Sequence, residues 1–285
     1  MPFNFTIDKP MPPLWIMYPE ITQFSIGWRM GYGEGYKWDL FDWLKKLTVD
    51  DKKRYDEMFP RPAFWRNPKD ANFDEYSYEL ISFWKMEGKP KYSIGNLATV
   101  SETSEYLHFW KPKHEIVDKA CLSQWQYSKF EVDIYDYTSA EQYMMAEKAR
   151  LFEDEEIEKK IMNSNSPKEI KSLGQKVRNF KQDIWDKVKY SIVLTGNYYK
   201  FSQNKEMRDF LLSTDNKILV EASPLDKIWG VGLSAENSKI NTPHFWNGKN
   251  LLGFALMELR DDLQKVYKNV DIIDWEHLKK YRINQ

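Results

Sequence analysis

The sequence predicts an α+β fold that is mostly helical, with a small β-sheet and an aromatic-rich N-terminal extension. Helix-capping patterns followed by strong helix formers recur after residue 137. Strand-like segments lie near residues 106–110, 130–133 and 217–221, and we expect them to form one small sheet. The first hundred residues carry six of the 12 Trp together with clusters of Pro and Gly, which sets them apart as an extension.

The composition narrows the class of protein. A net charge of −1 over 285 residues produces no overall field toward nucleic acid. No apolar run approaches the roughly 20 residues that span a bilayer, and the N-terminus lacks the basic start and apolar core of a signal peptide. The single cysteine, Cys121, excludes an internal disulfide framework, and four scattered histidines add little toward a zinc site. We therefore predict a cytoplasmic protein without membrane association, metal or cofactor.

Two consecutive helices are predicted in the N-terminal region. The first has its inward face at helical spacing, formed by Trp38, Phe41, Leu44 and Leu47. Thr48, followed by Asp51, marks the start of the second, which leads into Lys52–Met58 and is ended by Pro60. The glycine cluster GYGEGY at residues 31–36 has the wrong spacing for a dinucleotide fingerprint and is predicted to be a turn.

Two capping boxes define helices in the second half of the chain. Thr138, with Glu141 three residues on, begins a helix that runs to about Phe152. In residues 166–169, the serine is predicted to cap the N-terminus of a helix, the proline occupies its first helical position and the glutamate completes the capping box. Gly174 is expected near the end of that second helix.

Three further helices and a long irregular stretch complete the predicted order. The first begins near Lys181, the second covers Glu206–Leu212 and the third covers Leu251–Tyr267. Residues 224–250 show no clear periodicity over 27 positions. Because a long irregular stretch in a compact domain is usually functional, we expect it to contribute to a site.

Glu141 and Lys148 are the first candidates for chemistry. On the helix after Thr138 they share a stripe with Met145 and Phe152. A carboxyl group against an apolar wall has a raised pKa, which suits acid–base work, and a nearby lysine can hold it ionised or act as a nucleophile. The alternative is that Glu141 serves only as the partner in its capping box.

The segment DKIWGVG, residues 226–232, is the second candidate. It places Asp226 three residues before Trp229, and Trp229 is followed by Gly230 and Gly232. Glycine lets a backbone approach a ligand closely, and the indole offers a stacking face. The alternative is a tight turn with a buried tryptophan.

Residues 159–189 are locally basic, with nine Lys and Arg against three acidic residues, an excess of six charges. Such a segment can bind the phosphates of a nucleotide or of DNA. Solvated helix faces produce the same pattern, so this alternative stays open.

Six sequence blocks resemble the NADAR family, also called YbiA-like, in order and spacing. They are CLSQWQYSKFEVD (121–133), YTSAEQYMMAEKARLF (137–152), LGQKVRNF (173–180), KFSQNKEMRDFLL (200–212), LVEASPLDKIWGVGL (219–233) and GKNLLGFALMELRDDL (248–263). The resemblance implies residues 104–267 as a catalytic domain, after an accessory region at 1–100 and before a tail at 268–285.

The resemblance implies an N-glycosidase that cleaves a ribosyl C1′–N bond, and it assigns roles by position. The family glutamate corresponds to Glu141, the lysine of the following turns to Lys148, and the acid of the D-x-x-W-G block to Asp226. We expect these three to be catalytic. Residues expected to bind substrate are Trp125, Tyr143, Lys176, Arg178, Trp229, Gly230, Gly232 and Asn250.

Two substrates follow from the resemblance. Some members hydrolyse ribosylamine intermediates of riboflavin synthesis, and others remove ADP-ribose from guanine in DNA as antitoxins to ADP-ribosylating toxins. We favour the second because of the basic segment and because Val231 stands where some members carry an acid. The expected partners are then ADP-ribosylated DNA or nucleotide and a cognate toxin. A non-catalytic ADP-ribose sensor is the alternative from another class.

Overall fold

The computed structural model describes residues 4–63, 65, 90–97, 105–113 and 117–282. These residues form two compact units. The first draws its described residues from Met1–Asn72, Glu131–Tyr135 and Asp262–Gln285, and the second from Phe73–Phe130 and Asp136–Asp261. The boundaries expected for the accessory region, catalytic domain and tail stay a prediction. Within the described ranges, no helix combines the length and apolarity needed to cross a bilayer.

The first unit is helical. Its α-helices are α1 (Leu14–Met17), α2 (Gly27–Met30), α3 (Gly33–Lys46) and α4 (Val49–Met58), and 3₁₀ turns follow at Val270–Ile272 and Trp275–Tyr281. Both predicted helices are confirmed as α3 and α4, and Thr48 Oγ1 accepts from the Asp51 amide at 3.1 Å, as the capping pattern predicted. The turn predicted over residues 31–36 is wrong for its second part, because α3 begins at Gly33.

The buried face of α3 also differs from the predicted one. Trp38 is 53% exposed, whereas Tyr36 and Trp43 are buried. The Tyr36 hydroxyl donates to the Pro12 carbonyl, and Trp43 Nε1 donates to the Phe5 carbonyl at 3.1 Å. Aromatic residues occur on both sides of this helix. The side that packs inward is the one whose Tyr and Trp polar groups donate hydrogen bonds to backbone carbonyls.

The remaining elements follow in chain order. The helices are α5 (Ile94–Leu97), α6 (Ala140–Leu151), α7 (Glu155–Met162), α8 (Pro167–Gly174), α9 (Gln182–Gln203), α10 (Lys205–Ser213) and α11 (Leu251–Val266). The strands are β1 (Tyr106–Phe109), β2 (Phe130–Val132), β3 (Tyr135–Tyr137) and β4 (Ile218–Glu221). The mostly helical α+β fold class is thereby confirmed, and α7 is a helix that the sequence analysis did not identify.

The strands form two pairs instead of the single predicted sheet. β1 lies parallel to β4, with Tyr106 opposite Ile218 and Phe109 opposite Glu221. Among the residues that the structure describes, β2 pairs with β3 alone. The link of two residues between β2 and β3 suits a hairpin, whereas the parallel pair needs the long helical connection that lies between residues 109 and 218. Glu221 consequently ends a buried strand at its carboxyl end.

The core of the second unit forms where α6 meets α7, α8 and α9. The C-terminal half of α9 is buried on all sides from residue 189 to residue 202. At Gly196 an added Cβ would lie 2.5 Å from the Tyr143 ring of α6, so glycine is what allows the two helices to pack this closely. The start of α6 is therefore held rigidly.

Candidate active site

The start of α6 is capped one residue later than predicted. Ser139 Oγ accepts from the Gln142 amide at 3.2 Å, and Gln142 Oε1 accepts from the Thr138 amide at 2.7 Å. Ser139 has extended backbone angles, as an N-cap residue must, so the predicted Thr138–Glu141 box is wrong. The carboxyl group of Glu141 is thus not used to close the helix start.

We expect Ser139→Ala to destabilise the protein by about 1 kcal/mol, the usual cost of losing an N-cap hydroxyl. Thr138→Ala should cost less, because Gln142 Oε1 keeps the Thr138 amide and loses only the threonine hydroxyl, which donates to it at 3.0 Å. Thermal denaturation of the two variants measures this order. Equal losses would contradict the assignment of the cap.

Glu141 lies in the first turn of α6 with 4% of its surface exposed. Burial raises the pKa of its carboxyl to about 7; the positive charge of Lys171 lowers it, the negative charge of Asp226 raises it, and a hydrogen bond from Trp125 lowers it. The Glu141 amide donates to the Gln124 carbonyl at 2.9 Å, which ties α6 to the segment that carries Trp125. A carboxyl with a pKa near neutrality suits acid–base catalysis.

Glu221 is a second acid near Glu141, half-buried at the end of β4, and from the sequence it was predicted only as the end of a strand. Burial raises the pKa of its carboxyl to about 8, the charges of Asp226 and Glu141 raise it further, and Lys171 opposes them. Its Oε2 atom is shielded from solvent and accepts no hydrogen bond from a described residue. A charged residue at the carboxyl end of a parallel strand was the signal that could have found it, since ligands often bind there.

Asp226 belongs to a tight turn that packs against the end of β4. Its Oδ1 accepts from the amides of Ile228 and Trp229 at 2.9 and 2.8 Å. An added Cβ at Gly230 would lie 2.9 Å from the Glu221 carbonyl, so the predicted close backbone approach of this glycine is to β4. Gly232 has φ +68°, which favours glycine. Trp229 is half-buried, and its backbone is held in this turn by Asp226.

Asn250 holds the end of β4 in place. Its side chain is completely buried; Oδ1 accepts from the Glu221 amide at 3.0 Å, and Nδ2 donates to the Leu219 carbonyl at 2.9 Å. The amide that was expected to bind substrate is thus occupied by the strand. We assign it the positioning of Glu221.

The segment around Trp125 is fixed from α9. The buried Lys200 ammonium donates to the carbonyls of Cys121 and Ser123 at 2.6 and 2.9 Å, and Asn197 Nδ2 donates to Gln124 Oε1 at 3.0 Å. Burial lowers the pKa of Lys200 to about 8. Trp125 itself is half-buried, so one part of its indole stays available to a ligand.

Lys171, on α8, is a cation whose charge lowers the pKa of both Glu141 and Glu221. The Lys171 ammonium lies 5.7 Å from the centre of the Trp125 ring. Lys148 lies two turns further along α6; its ammonium donates to the Gly174 carbonyl at 2.8 Å and lies 4.2 Å from the Phe180 ring. Helical projection gave the side of α6 correctly but not the helix that packs there.

Tyr143 and Arg178 also lie in other surroundings than expected. Tyr143 is buried, with its ring centre 5.1 Å from Tyr137 in an aromatic cluster. Arg178 binds Asp154 through its Nη2 at 2.6 Å and its Nε at 3.1 Å, and these hydrogen bonds lower the pKa of Asp154 to about 2. Both residues thus have structural partners, whereas Lys176 is exposed.

The acid cluster, which we define as Glu141, Glu221 and Asp226, lies near Lys171, and Trp125 donates a hydrogen bond to Glu141 within it. In the described ranges, no group of three or more His, Cys, Asp and Glu is arranged to hold a metal ion. Carboxyl groups with differently shifted pKa values can supply an acid, a base and stabilisation of a positive charge. Such an arrangement suits the hydrolysis of a glycosidic bond.

Comparison with known proteins relates the chain to one family. The family model described as the NADAR domain matches residues 108–264. N-glycosidase R617 of Acanthamoeba polyphaga mimivirus is 46% identical over 170 residues, which cover 58% of this chain and 99% of the viral protein. N-glycosidase YbiA of Escherichia coli (strain K12) is 29% identical over 157 residues, covering 55% and 88%. An NMR structure of E. coli YbiA aligns with 57% of this chain and 87% of its own at 28% identity and a TM-score of 0.47.

Proposed function

Because the chain belongs to the NADAR family and is an N-glycosidase, we propose that it removes ADP-ribose from guanine at the acid cluster. The observation that carries the proposal is the buried Glu141, which lies with Lys171 and Asp226 close enough to shift its pKa and accepts a hydrogen bond from Trp125. A carboxyl in that position can meet the anomeric carbon of a ribose while an indole contacts the sugar or the base.

In the proposed mechanism the ribosyl C1′–N bond breaks through an oxocarbenium-like state. The carboxylate of Glu141 stabilises the positive charge at C1′ and takes a proton from the attacking water. Trp125 and Trp229 hold the ligand by stacking. Lys171 keeps Glu141 ionised, or its amine opens the sugar as a Schiff base; trapping with borohydride distinguishes the two roles, since only the second leaves a stable sugar adduct on Lys171.

The substrate class rests on the two lysines of α8 and on Lys176, which lies two residues beyond the helix. In residues 159–189, Lys159, Lys160, Arg178 and Lys189 form ion pairs. By contrast, Lys168, Lys171 and Lys176 are exposed and form no ion pair with a described residue. Lys168 precedes Lys171 by three residues, so both project from one side of the helix, where a pyrophosphate would be bound.

Val231 supports the same substrate. It is fully buried, and its amide donates to the Glu221 carbonyl at 3.0 Å. Some family members carry an acid at this position, and here an apolar side chain packs instead. If activity on the riboflavin-type substrate depends on that acid, this chain lacks the residue that the activity requires.

We expect the protein to release ADP-ribose and intact guanosine from ADP-ribosylated guanosine and to have little activity on a ribosylaminopyrimidine phosphate. The products of both reactions, separated by chromatography, are the test. The opposite preference would reassign the enzyme to riboflavin intermediates. Tight binding of ADP-ribose in calorimetry without hydrolysis would make it a sensor.

We expect Lys168→Ala to raise KM for ADP-ribosylated guanosine about fivefold, corresponding to roughly 1 kcal/mol for an exposed lysine–phosphate contact, with kcat unchanged. Lys187→Ala is the control, since Lys187 is equally exposed on α9. Steady-state kinetics at low salt measure the difference. The same KM for both variants would remove the phosphate role from α8.

A further inference from the structure

We propose that Glu221 is the general acid of the reaction and donates a proton to the nitrogen of the departing base. This inference rests on the proposed function, because it assigns a second role at the same site. It divides the chemistry between two carboxyl groups on different elements, Glu141 on α6 and Glu221 at the end of β4.

The position of Glu221 is fixed by the backbone on both sides. Its amide donates to Asn250 Oδ1 at 3.0 Å, and its carbonyl accepts from the Val231 amide at 3.0 Å. The strand below it is paired in register with β1, where Phe109 lies opposite. The backbone from which this carboxyl projects is therefore held in place, as the support of a positioned proton donor must be.

One oxygen of this carboxyl lacks the partners that an ionised group needs. Oε2 is shielded from solvent, and no described residue donates to it. Leaving a charge unpaired in such a place is costly, so the neutral, protonated carboxyl is favoured. A protonated carboxyl can donate its proton to a ligand nitrogen.

The ionised form of Glu141 is better stabilised by its surroundings than that of Glu221. It accepts a hydrogen bond from Trp125, and the positive charge of Lys171 is the largest influence that opposes its burial. For Glu221, by contrast, burial is reinforced by the charges of Asp226 and Glu141 before Lys171 opposes them. When two coupled acids hold one proton, the less supported one retains it.

Asp226 is not suited to the same task. Its Oδ1 accepts from two backbone amides of its own turn, at 2.9 and 2.8 Å. An oxygen engaged in that way serves as an acceptor and holds the turn together. Its charge instead favours the proton on Glu221.

The step balances as a simple hydrolysis. The C1′–N bond breaks and its electron pair stays on nitrogen, which takes the proton from the Glu221 carboxyl. Water adds its oxygen to C1′ and gives a proton to Glu141. Transfer of that proton from Glu141 to Glu221, directly or through water, restores both groups, and no oxidant, reductant or cofactor is consumed.

The test compares Glu221→Gln with Glu221→Asp, and with Glu236→Gln as an exposed control from the irregular stretch at 224–250. With ADP-ribosylated guanosine, we expect the wild-type kcat/KM to fall as pH rises through about 8. Glu221→Gln should lower kcat/KM about a hundredfold and abolish this alkaline decline, whereas Glu221→Asp keeps the decline at a reduced rate. Glu236→Gln should match the wild type. A merely structural role would lower the rate and leave the decline in place, which would overturn the proposal.

A second measurement does not depend on turnover. The infrared difference spectrum of wild type minus Glu221→Gln, recorded on the full chain at pH 7, should contain the band of a protonated carboxyl, and that of wild type minus Glu236→Gln should lack it. Absence of the band from the first difference would overturn the proposal even if Glu221→Gln is inactive. If the wild type does not hydrolyse ADP-ribosylated guanosine but the first difference contains the band, the proposed substrate fails while the proton on Glu221 stands.

Discussion

Glu141→Gln is expected to lower kcat for hydrolysis of ADP-ribosylated guanosine at least about a thousandfold while the protein stays folded. Positioned acid–base groups contribute about 10²–10⁴-fold, and this carboxyl is also proposed to stabilise the charge at C1′. Glutamine has the same shape and can still accept the hydrogen bond from Trp125, so the loss would reflect charge and proton transfer. Chromatographic measurement of released ADP-ribose gives the rate.

The stability of the same variant gives a second expected result. The folded-state pKa of Glu141, about 7, lies above that of an unfolded glutamate, about 4.3. Its contribution to stability is therefore full below pH 4.3 and is lost as pH rises through 7. Glu141→Gln removes this loss, so at pH 8 we expect its Tm to be no lower than that of the wild type.

Glu155→Gln, on the exposed start of α7, is the control and should keep the wild-type rate and Tm. If Glu141→Gln is folded and still hydrolyses ADP-ribosylated guanosine at the wild-type rate, the role proposed for Glu141 is wrong. If it is inactive because it melts well below the control at pH 8, Glu141 is a structural residue.

Gly253→Ala is expected to cause the largest loss of stability, about 3 kcal/mol. An added Cβ would lie 2.1 Å from the Leu219 carbonyl and 2.5 Å from Asn250 Nδ2. The carbonyl belongs to β4 and the amide is bonded to that strand, so neither can move without breaking the contacts that hold Glu221. The expected result is a lower Tm together with loss of activity below the melting temperature.

Gly95→Ala is the matched control in the second unit, because an added Cβ there meets only Ser93 Oγ, at 3.8 Å. It should leave the Tm unchanged or raise it slightly. Thermal and urea denaturation, followed at several wavelengths, measure both variants. A Tm for Gly253→Ala within about 2 °C of the control would show that α11 moves off β4 more readily than the packing indicates.

Local signals in the sequence predicted the features whose causes are local. Thr48 begins α4 and Ser166 with Pro167 begins α8, because a side-chain oxygen and its target amide are only three residues apart. Glu141 was identified from helical spacing and more firmly from the NADAR resemblance. Even there, Ser139 and not Thr138 is the N-cap, because two consecutive hydroxyl residues offer two possible starts for the helix.

The partners of Glu141 could not be predicted in this way, because they come from distant segments. Lys171 is brought by the packing of α8 on α6, and Glu221 by the pairing of β4 with β1 across more than a hundred residues. Helical projection placed Lys148 on the correct side of α6 but could not show that the Gly174 carbonyl would bind its amine. Each of these outcomes depends on tertiary contacts that no window of sequence contains.

The cap formed by Ser139 and Gln142 has a practical consequence. Chemistry and helix initiation are assigned to adjacent side chains, so position 141 can be altered without taking away the interactions that start the helix. A catalytically inactive variant at position 141 should still bind the ligand, so it could be used to isolate the natural substrate from cells by affinity capture.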